Sequence, residues 1–243
     1  MMNNSENLKK GSTGKIPVDP SFPILKEGCP FILIPLAAGL ILLFAPCVSI
    51  LNVLPVFILI MRIVGALMIV FALFCIFFFR NPKVRITQGE GIILSPCNGT
   101  VLEIEEKEDE KIIRAFLSVL NVHLQRSPIA GTVKSVEHKA GKFLAAWNPE
   151  AHILNEQNII TVESAAGVVV VRQIAGFLAR RCVSAVKAGD ELKAGVMIGL
   201  IKFSSQVDLH LPPDVIITVK PGDKIRAGIN VVGEIKNERQ AKN

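Results

Sequence analysis

The chain has 243 residues, a net charge of +6 and a hydrophobic fraction of 50%, which allows one or two domains. Its mean hydropathy of +0.46 is high for a soluble protein, and the excess is concentrated near the N-terminus. The basic residues form no Lys/Arg stripe interleaved with aromatic residues, so we predict no nucleic-acid partner.

The N-terminal third of the chain predicts a membrane anchor. Residues 1–25 are polar and favour a disordered leader. Charged residues are absent between Glu27 and Arg62 and again over 63–79, and each run approaches the roughly 20 apolar residues that cross a bilayer. Polar residues and prolines separate the two runs. We therefore predict that 26–85 forms a helical hairpin, with helices at about Phe31–Ser49 and Val56–Phe79.

Basic residues flank this predicted hairpin on both sides, which places both of its ends on the cytoplasmic side of the inner membrane. The net charge suits an anionic lipid surface. Arg62 interrupts the apolar sequence and must reach the membrane surface. One spanning helix with an interfacial segment is the alternative topology; a cleaved signal peptide fits poorly, since a second apolar run follows. The flanking basic residues are Lys9, Lys10, Lys15, Lys26, Arg80, Lys83 and Arg85.

The remaining segment, 86–243, predicts a mainly β domain. Short apolar runs alternate with Gly, Pro, Asn and Asp, which is typical of strands joined by tight turns. The segment Ala145–Asn155, which contains Trp147, predicts a short helix or a long loop. The predicted strands are Ile112–Leu120, Val168–Ile174, Met197–Phe203, Val207–Leu211 and Val215–Val219.

Two motifs each occur twice in this domain. Ser-Pro-x-x-Gly-Thr-Val occupies 95–101 and 127–133, and Val-Lys-x-Gly-Asp-x-x-x-Ala-Gly occupies 186–195 and 219–228. Repeats at this spacing indicate duplicated supersecondary units. We predict a compact β-sandwich with pseudo-twofold symmetry, similar to biotinyl and lipoyl carrier domains. A carrier function is disfavoured because neither repeat has a Met-Lys-Met-like tip.

The cysteines do not predict a metal site. They lie at positions 29, 47, 75, 97 and 182, with no Cys-x-x-Cys pair and no histidine at ligand spacing. We expect reduced thiols and no bound metal.

A Ser204-Ser205 pair interrupts two apolar runs near the C-terminus. In a strained turn, the second hydroxyl can attack the preceding carbonyl and convert the amide to an ester. β-Elimination then cuts the chain and leaves a pyruvoyl group. On these residues alone, an ordinary polar turn is the favoured interpretation.

Histidine and arginine residues supply the other candidates. His123 has apolar neighbours and is followed by Arg126, so it is either a general base in a half-buried pocket or a hydrogen-bonded core histidine. Arg180 and Arg181 follow an apolar strand and either bind an anionic group or lie in a solvated turn. The polar cluster Asn155–Asn158 either lines the same pocket or caps an element.

Several motifs together resemble the short, membrane-anchored form of the phosphatidylserine decarboxylase family. The resemblance covers nearly everything after residue 26, in family order. Its motifs are Glu27-Gly-Cys-Pro-Phe-Ile32, Phe78-Phe-Arg-Asn-Pro82, Ser95-Pro-x-x-Gly99, Asn121-Val-His-x-x-Arg126, Gly131-Thr-Val133, Gly141-Lys-Phe143, Asn155-Glu156, Gln173-Ile-Ala-Gly-x-x-Ala-Arg-Arg181, Gly199-x-Ile-Lys-Phe-x-Ser-x-Val-Asp208 and Leu211-Pro212.

The resemblance implies a proenzyme that cuts itself between Ser204 and Ser205 into fragments 1–204 and 205–243. The fragments stay together as a heterodimer, and a higher oligomer is possible. The pyruvoyl group formed from Ser205 is the cofactor. This group forms a Schiff base with phosphatidylserine, a membrane lipid. The Schiff base accepts the electron pair that remains when CO2 departs, and phosphatidylethanolamine is then released. The implied process is phospholipid biosynthesis.

The resemblance also implies roles for individual residues. Ser205, His123 and Asn98 take catalytic positions, and we expect Arg180, Arg181 and Arg126 to bind the phosphate and carboxylate of the substrate.

The sequence departs from the family pattern at three positions. The family usually has Asp at Asn98, Gly at Ser204 and Arg at Gln206. An amide at position 98 supplies a hydrogen bond but no charge, and loss of glycine restricts the scissile turn. A weakened enzyme or a non-catalytic membrane-anchored adaptor is therefore the competing expectation.

Overall fold

The computed structural model describes residues 24–44, 55–144, 150–176, 181–202 and 205–235. They group into two compact units. The helical unit contains the described residues up to Val84 together with Val119–His123. The β unit contains Arg85–Ser118 and the described residues from Leu124 onward.

Both predicted helices of the helical unit are confirmed. A 3-10 turn at Lys26–Gly28 leads into α1, Cys29–Phe44, and α2 spans Pro55–Phe78. Lys26–Phe44 and Pro55–Phe78 are long and apolar enough to cross a membrane. The predicted loop between them lies outside the described residues, as do the last residues predicted for the first helix.

Two glycines allow α1 and α2 to pack closely. A Cβ atom added to Gly39 would lie 2.8 Å from the carbonyl oxygen of Gly65, and the converse distance is also 2.8 Å. Most large apolar side chains on the helices remain exposed, among them Leu33, Ile34 and Leu67. Arg62 is exposed too and lies in the first third of α2, so its stem can extend toward the end of the helix.

The β unit has fourteen described strands and one described helix, α3, which spans Ala151–Leu154. This helix lies within the segment predicted to be a short helix or loop; Trp147 lies outside the described residues. The strands are β1 (Ile92–Leu94), β2 (Gly99–Glu106), β3 (Lys111–Leu117), β4 (Leu124–Arg126), β5 (Gly131–Lys139), β6 (Gln157–Ser164), β7 (Gly167–Ala175), β8 (Cys182–Ser184), β9 (Glu191–Leu192), β10 (Met197–Ile201), β11 (Ser205–Leu211), β12 (Ile216–Ile217), β13 (Lys224–Ile225) and β14 (Val231–Glu234).

The strands form three antiparallel sheets. Eight strands make the largest sheet, in the order β13-β2-β3-β11-β7-β6-β5-β9, and two smaller sheets have the orders β1-β14-β12 and β4-β10-β8. One continuous apolar core joins side chains from all three sheets. The mainly β prediction is therefore confirmed. The predicted strand Val215–Val219 shortens to Ile216–Ile217, because only these two residues pair with β14.

The duplicated motifs pair crosswise. Segment 95–101 bonds to the later Gly-Asp segment, 219–228, while 127–133 bonds to the earlier one, 186–195. Each Gly-Asp segment forms a turn, a two-residue strand and a second turn. The turns use glycine where φ is positive, a conformation that other residues rarely adopt. These φ values are 88° at Gly189, 81° at Gly195, 93° at Gly222 and 72° at Gly228.

Equivalent hydrogen bonds confirm the predicted pseudo-twofold. The amide of Val101 donates to the carbonyl of Asp223 over 2.9 Å, and the amide of Val133 donates to the carbonyl of Asp190 over the same distance. Both aspartate side chains also accept from the backbone amide three residues earlier, each over 3.0 Å. The symmetric element is thus built by exchange of turns between the two halves of the domain.

Candidate active site

Strand β11 begins at Ser205 and lies at the centre of the largest sheet. Its first residue pairs with Leu117 of β3 on one side and with Ala175 of β7 on the other. The structure describes the backbone of Ser205, whereas Ser204 lies outside the described residues. The backbone of the predicted pyruvoyl precursor is therefore fixed by strands on both sides from its first residue.

Asn98 lies at the same end of this sheet. It precedes β2, whose first residue, Gly99, is followed by Thr100 opposite Phe116 of β3. Phe116 in turn lies opposite Gln206 of β11. Because neighbouring strands are about 4.8 Å apart, the backbones of β2 and β11 are separated by about 10 Å. Glycine is needed at position 99, since a Cβ there would clash with the carbonyl oxygen of Phe116.

The two faces of β11 bury different chemistry. Val207, Leu209 and Leu211 point into the apolar core. Gln206, Asp208 and His210 alternate with them along the strand and are also buried, with exposures of 5%, 2% and 7%. The second face of the sheet therefore contains a buried polar layer, which begins at the residue after Ser205.

Asp208 is the centre of this buried polar layer. Its Oδ1 accepts a 2.6 Å hydrogen bond from Nε2 of Gln206, and its Oδ2 lies 3.5 Å from Nε of Arg114. Burial raises the pKa of the Asp208 carboxyl, while the Gln206 hydrogen bond and the Arg114 charge act in the opposite direction. Arg114 also pairs with Glu103 at 2.8 Å and with Glu105 at 2.6 Å. These contacts tie β11 to β3 and β2.

Sequence reasoning assigned no role to this layer. The alternation of polar and apolar residues over Gln206–Leu211 predicts a strand with one solvent-exposed face. It does not reveal that the polar face is also buried, which depends on tertiary packing.

His123 is a buried residue of the helical unit, with an exposure of 0%. Its Nδ1 lies 2.9 Å from the carbonyl oxygen of Asn121. Because a carbonyl can only accept, Nδ1 carries the proton and Nε2 holds the lone pair of the neutral ring. Burial lowers the pKa of His123 to about 4, with a further decrease from the charge of Arg80 and an opposing contribution from Asn121. At neutral pH, this ring can accept a proton at Nε2.

The candidate arginines differ in availability. Arg126, on β4, is 4% exposed, and its Nη1 donates a 2.8 Å hydrogen bond to the carbonyl of Gly195. Its Cδ would lie 3.1 Å from a Cβ added to Gly228, so Arg126 supports both glycine turns of the exchanged repeats. Arg181 precedes β8 and is exposed. Arg180 lies outside the described residues.

Asn155 connects separate chain segments near Ser205. Its side chain accepts from the amide of Leu144 at 2.8 Å and donates to the carbonyls of Leu144 and Ala175 at 2.9 and 2.7 Å. Because Ala175 pairs with Ser205, Asn155 stabilises the strand end beside the predicted cleavage position. Of the two predicted roles for the cluster Asn155–Asn158, the described contacts of Asn155 correspond to capping.

Comparison with known proteins gives a consistent result. The family model described as phosphatidylserine decarboxylase matches residues 71–233, more than half of the chain. A phosphatidylserine decarboxylase proenzyme of Geotalea uraniireducens is 39% identical over 219 residues, covering 87% of this chain and 96% of that protein. Proenzymes of the same name from Carboxydothermus hydrogenoformans and Solibacter usitatus are 40% and 41% identical, covering 71% and 68% of this chain and 84% and 80% of theirs. The chain belongs to the phosphatidylserine decarboxylase family, whose members are pyruvoyl-dependent decarboxylases.

Proposed function

We propose that this chain is a proenzyme that cuts itself before Ser205 and then decarboxylates phosphatidylserine to phosphatidylethanolamine. Family membership supports the reaction, and the relatives' proenzyme names support maturation by cleavage. The structural observation that carries the proposal is the start of β11 at Ser205, between two strands that hold it in register. A cut at this point would create a chain end on a strand whose position does not depend on the broken bond.

The proposed cleavage rearranges bonds already present in the chain. The Ser205 hydroxyl oxygen attacks the Ser204 carbonyl carbon, the C–N bond breaks, and the amide becomes an ester with a free amine at position 205. A base removes the Cα proton of residue 205, and the Cβ–O bond breaks. Residue 204 leaves as a carboxylate and residue 205 becomes dehydroalanine. Tautomerisation and hydrolysis by one water molecule release ammonia and leave the pyruvoyl carbonyl.

We assign the role of the base to His123. This residue lies in one of the motifs that resemble the family, and its side chain is a neutral imidazole. The carbonyl of Asn121 holds the proton on Nδ1, so Nε2 is the atom that accepts a proton from the reacting group. The low pKa of His123, about 4, keeps the ring in this form at neutral pH. Asn98 supplies an amide at the end of the sheet where β11 begins, and we propose that it orients the reacting segment by hydrogen bonding.

Once formed, the pyruvoyl carbonyl supplies an electrophile and an electron sink for the loss of CO2. Among the arginines, we propose Arg181 as a contact for the anionic headgroup, because its side chain is exposed and a guanidinium can pair with phosphate or carboxylate. Arg126 already donates to Gly195 within the fold, so we propose that its contribution is to support the repeat turns.

The proposed fragments would remain associated after cleavage. Residues 205–235 contribute β11, β13 and β14, which pair with β1, β2, β3 and β7 of the preceding fragment, and β12, which pairs with β14. Val207 and Leu209 are each 1% exposed. Separation of the fragments would therefore expose the core and break four strand pairings, which supports a stable heterodimer of the two fragments.

The membrane location is part of the same proposal. The proposed substrate is a bilayer lipid, and the two helices have the length and composition needed to cross the bilayer. The basic residues on both flanks favour a hairpin with its ends on the cytoplasmic face of the inner membrane.

An intact-mass spectrum and a denaturing gel of the purified full chain would test the proposal. We expect a small C-terminal fragment that begins at position 205, is blocked at its N-terminus and reacts with a carbonyl-trapping reagent. Ser205→Ala should abolish cleavage and conversion of labelled phosphatidylserine, whereas Ser135→Ala on β5 should preserve both. A wild-type chain that stays uncut and unreactive would refute the enzyme and favour the adaptor expected from the departures at Asn98, Ser204 and Gln206.

A further inference from the structure

The loop that carries His123 is attached to the end of helix α2. Residues 119–123 group with the helices and not with the β unit, although they lie between β3 and β4 in the sequence. Nη2 of Arg80 donates a 2.8 Å hydrogen bond to the carbonyl of Leu120. Its Nη1 donates to the carbonyl of Phe77 over 2.7 Å. One guanidinium thus joins the last turn of α2 to the His123 loop.

Aromatic contacts fix the ring of His123 against the same helix end. The centroid of the Phe78 ring lies 4.3 Å from that of His123, with the planes inclined by 34°. Phe78 packs edge-on against Phe79 at 5.0 Å, and Phe79 stacks on Phe31 of α1 at 5.7 Å. Both Phe78 and Phe79 are fully buried. The support for the histidine therefore extends through both helices.

The 3-10 turn before α1 closes this aromatic cluster. The amide of Leu25 donates to the carbonyl of Phe79 over 2.9 Å. A Cβ atom on Gly28 would lie 2.5 Å from the Phe79 ring, so only glycine permits this approach. The chain is in this way held against Phe79 before it enters the first helix.

Arg80 contributes charge as well as geometry. Its guanidinium carbon lies 3.8 Å from the centroid of the Phe77 ring, a cation–π arrangement that limits its movement. A positive charge beside an imidazole disfavours the imidazolium, and the charge of Arg80 lowers the pKa of His123. Burial and the Asn121 carbonyl are the other influences on this pKa.

We propose that the C-terminal end of α2 positions the histidine of this enzyme, with Arg80 holding the loop that carries His123 and Phe78 packing against its ring. The hairpin then has a second role besides attachment to the membrane. Arg80 and Phe78 are positioning residues, because they act through His123. This inference rests on the proposed role of His123 in the proposed function.

The test compares three variants of the full chain in detergent micelles. Arg80→Gln removes the charge and the hydrogen bonds to the two carbonyls. Arg80→Lys keeps the charge but lacks the planar guanidinium group. Phe78→Leu keeps an apolar side chain without the ring. Lys83→Gln is the matched control, because Lys83 is an exposed cation three residues from Arg80. Thermal unfolding of each variant identifies any that fail to fold.

The first readout is the pKa of His123, which is measured by NMR of histidine-labelled protein. The Ser205→Ala background is used for this measurement because it prevents cleavage. Arg80→Gln should move this pKa upward from about 4, whereas Arg80→Lys and Lys83→Gln should leave it close to the parent value. The second readout is the rate of chain cleavage with Ser205 intact. We expect Arg80→Gln, Arg80→Lys and Phe78→Leu to slow cleavage by about tenfold to a hundredfold, since misplacement by 1 Å can cost about 10²-fold.

The outcomes separate the two proposals. If folded Arg80→Gln and Phe78→Leu match Lys83→Gln in both the His123 pKa and the cleavage rate, the positioning role is wrong. If Arg80→Gln does not fold, Arg80→Lys and Phe78→Leu decide the question by cleavage rate alone. If the wild-type chain is never cleaved, the proposed function fails, and the titration of His123 still shows whether Arg80 acts on the ring.

Discussion

Replacement of Arg114 by methionine should destabilise the β unit strongly. Arg114 lies 3.5 Å from the carboxylate of Asp208, which is 2% exposed. Loss of one member of a buried ion pair costs about 3–5 kcal/mol. The separation is long, and Gln206 still donates to the same carboxylate, so we expect the lower end, about 3 kcal/mol.

Thermal unfolding of the full chain in detergent measures this loss. For a domain of this size, 1 kcal/mol corresponds to about 2–4 °C, so Arg114→Met should lower the Tm by about 6–12 °C. Arg85→Met is the control, because Arg85 is exposed; it should change the Tm by less than about 2 °C.

The destabilisation should depend on pH in a defined direction. Burial raises the pKa of Asp208 above its ordinary value, and the charge of Arg114 lowers it, so the variant should have a still higher Asp208 pKa. As the pH falls through that pKa, the carboxyl becomes neutral and no longer requires a cation. The difference in Tm between wild type and Arg114→Met should therefore be greatest at high pH and decrease on acidification.

A second substitution tests the cause directly. Asp208→Asn in the Arg114→Met background removes the uncompensated charge and should recover part of the lost Tm at neutral pH. If the double variant is as unstable as Arg114→Met at every pH, electrostatic desolvation of Asp208 is not the reason for the loss, and the reasoning is refuted.

Two further predictions concern the end of the sheet and the repeat turns. Asn98→Asp should preserve or accelerate chain cleavage, measured on a denaturing gel, if the site benefits from a carboxylate; a marked slowing would show that the amide has its own role. Gly195→Ala should destabilise the fold more than Gly189→Ala, as measured by Tm. Both glycines have positive φ, which costs about 1–2 kcal/mol for alanine, but only at Gly195 would the new Cβ also lie 2.5 Å from Ile86. Equal Tm losses would contradict this crowding.

The sequence predicted those parts of the fold that depend on local pattern. Uncharged runs of spanning length indicated the two helices, because a helix that crosses a bilayer needs a sufficient number of consecutive apolar residues. The turns at Gly189 and Gly222 were predicted from their repeated motifs, since positive φ demands glycine. Strand β7 was predicted over Val168–Ile174 and observed at Gly167–Ala175, because its apolar run is short and bounded by turn residues.

Features that depend on distant pairing were not predicted. The exchange of Gly-Asp turns between the two halves leaves no local signal, since each motif is compatible with either partner. The burial of Asp208 on the second face depends on tertiary packing around β11. The grouping of the His123 loop with α2 depends on Arg80, whose position in the sequence is 40 residues from its partner, Leu120. In each case the interaction joins segments that a sequence pattern treats independently.

The pairing of β1 with β14 joins two strands that are far apart in the chain. Ile92 of β1 pairs with Glu234, so within the described residues β1 gains its strand partner only after β14 has been synthesised. The β2 strand waits similarly for Lys224 and Ile225. Such late closure is entropically demanding. The strand that begins at Ser205 differs, because both of its neighbours, β3 and β7, precede it in the chain. Its place in the large sheet is therefore available before β13 and β14 have been synthesised.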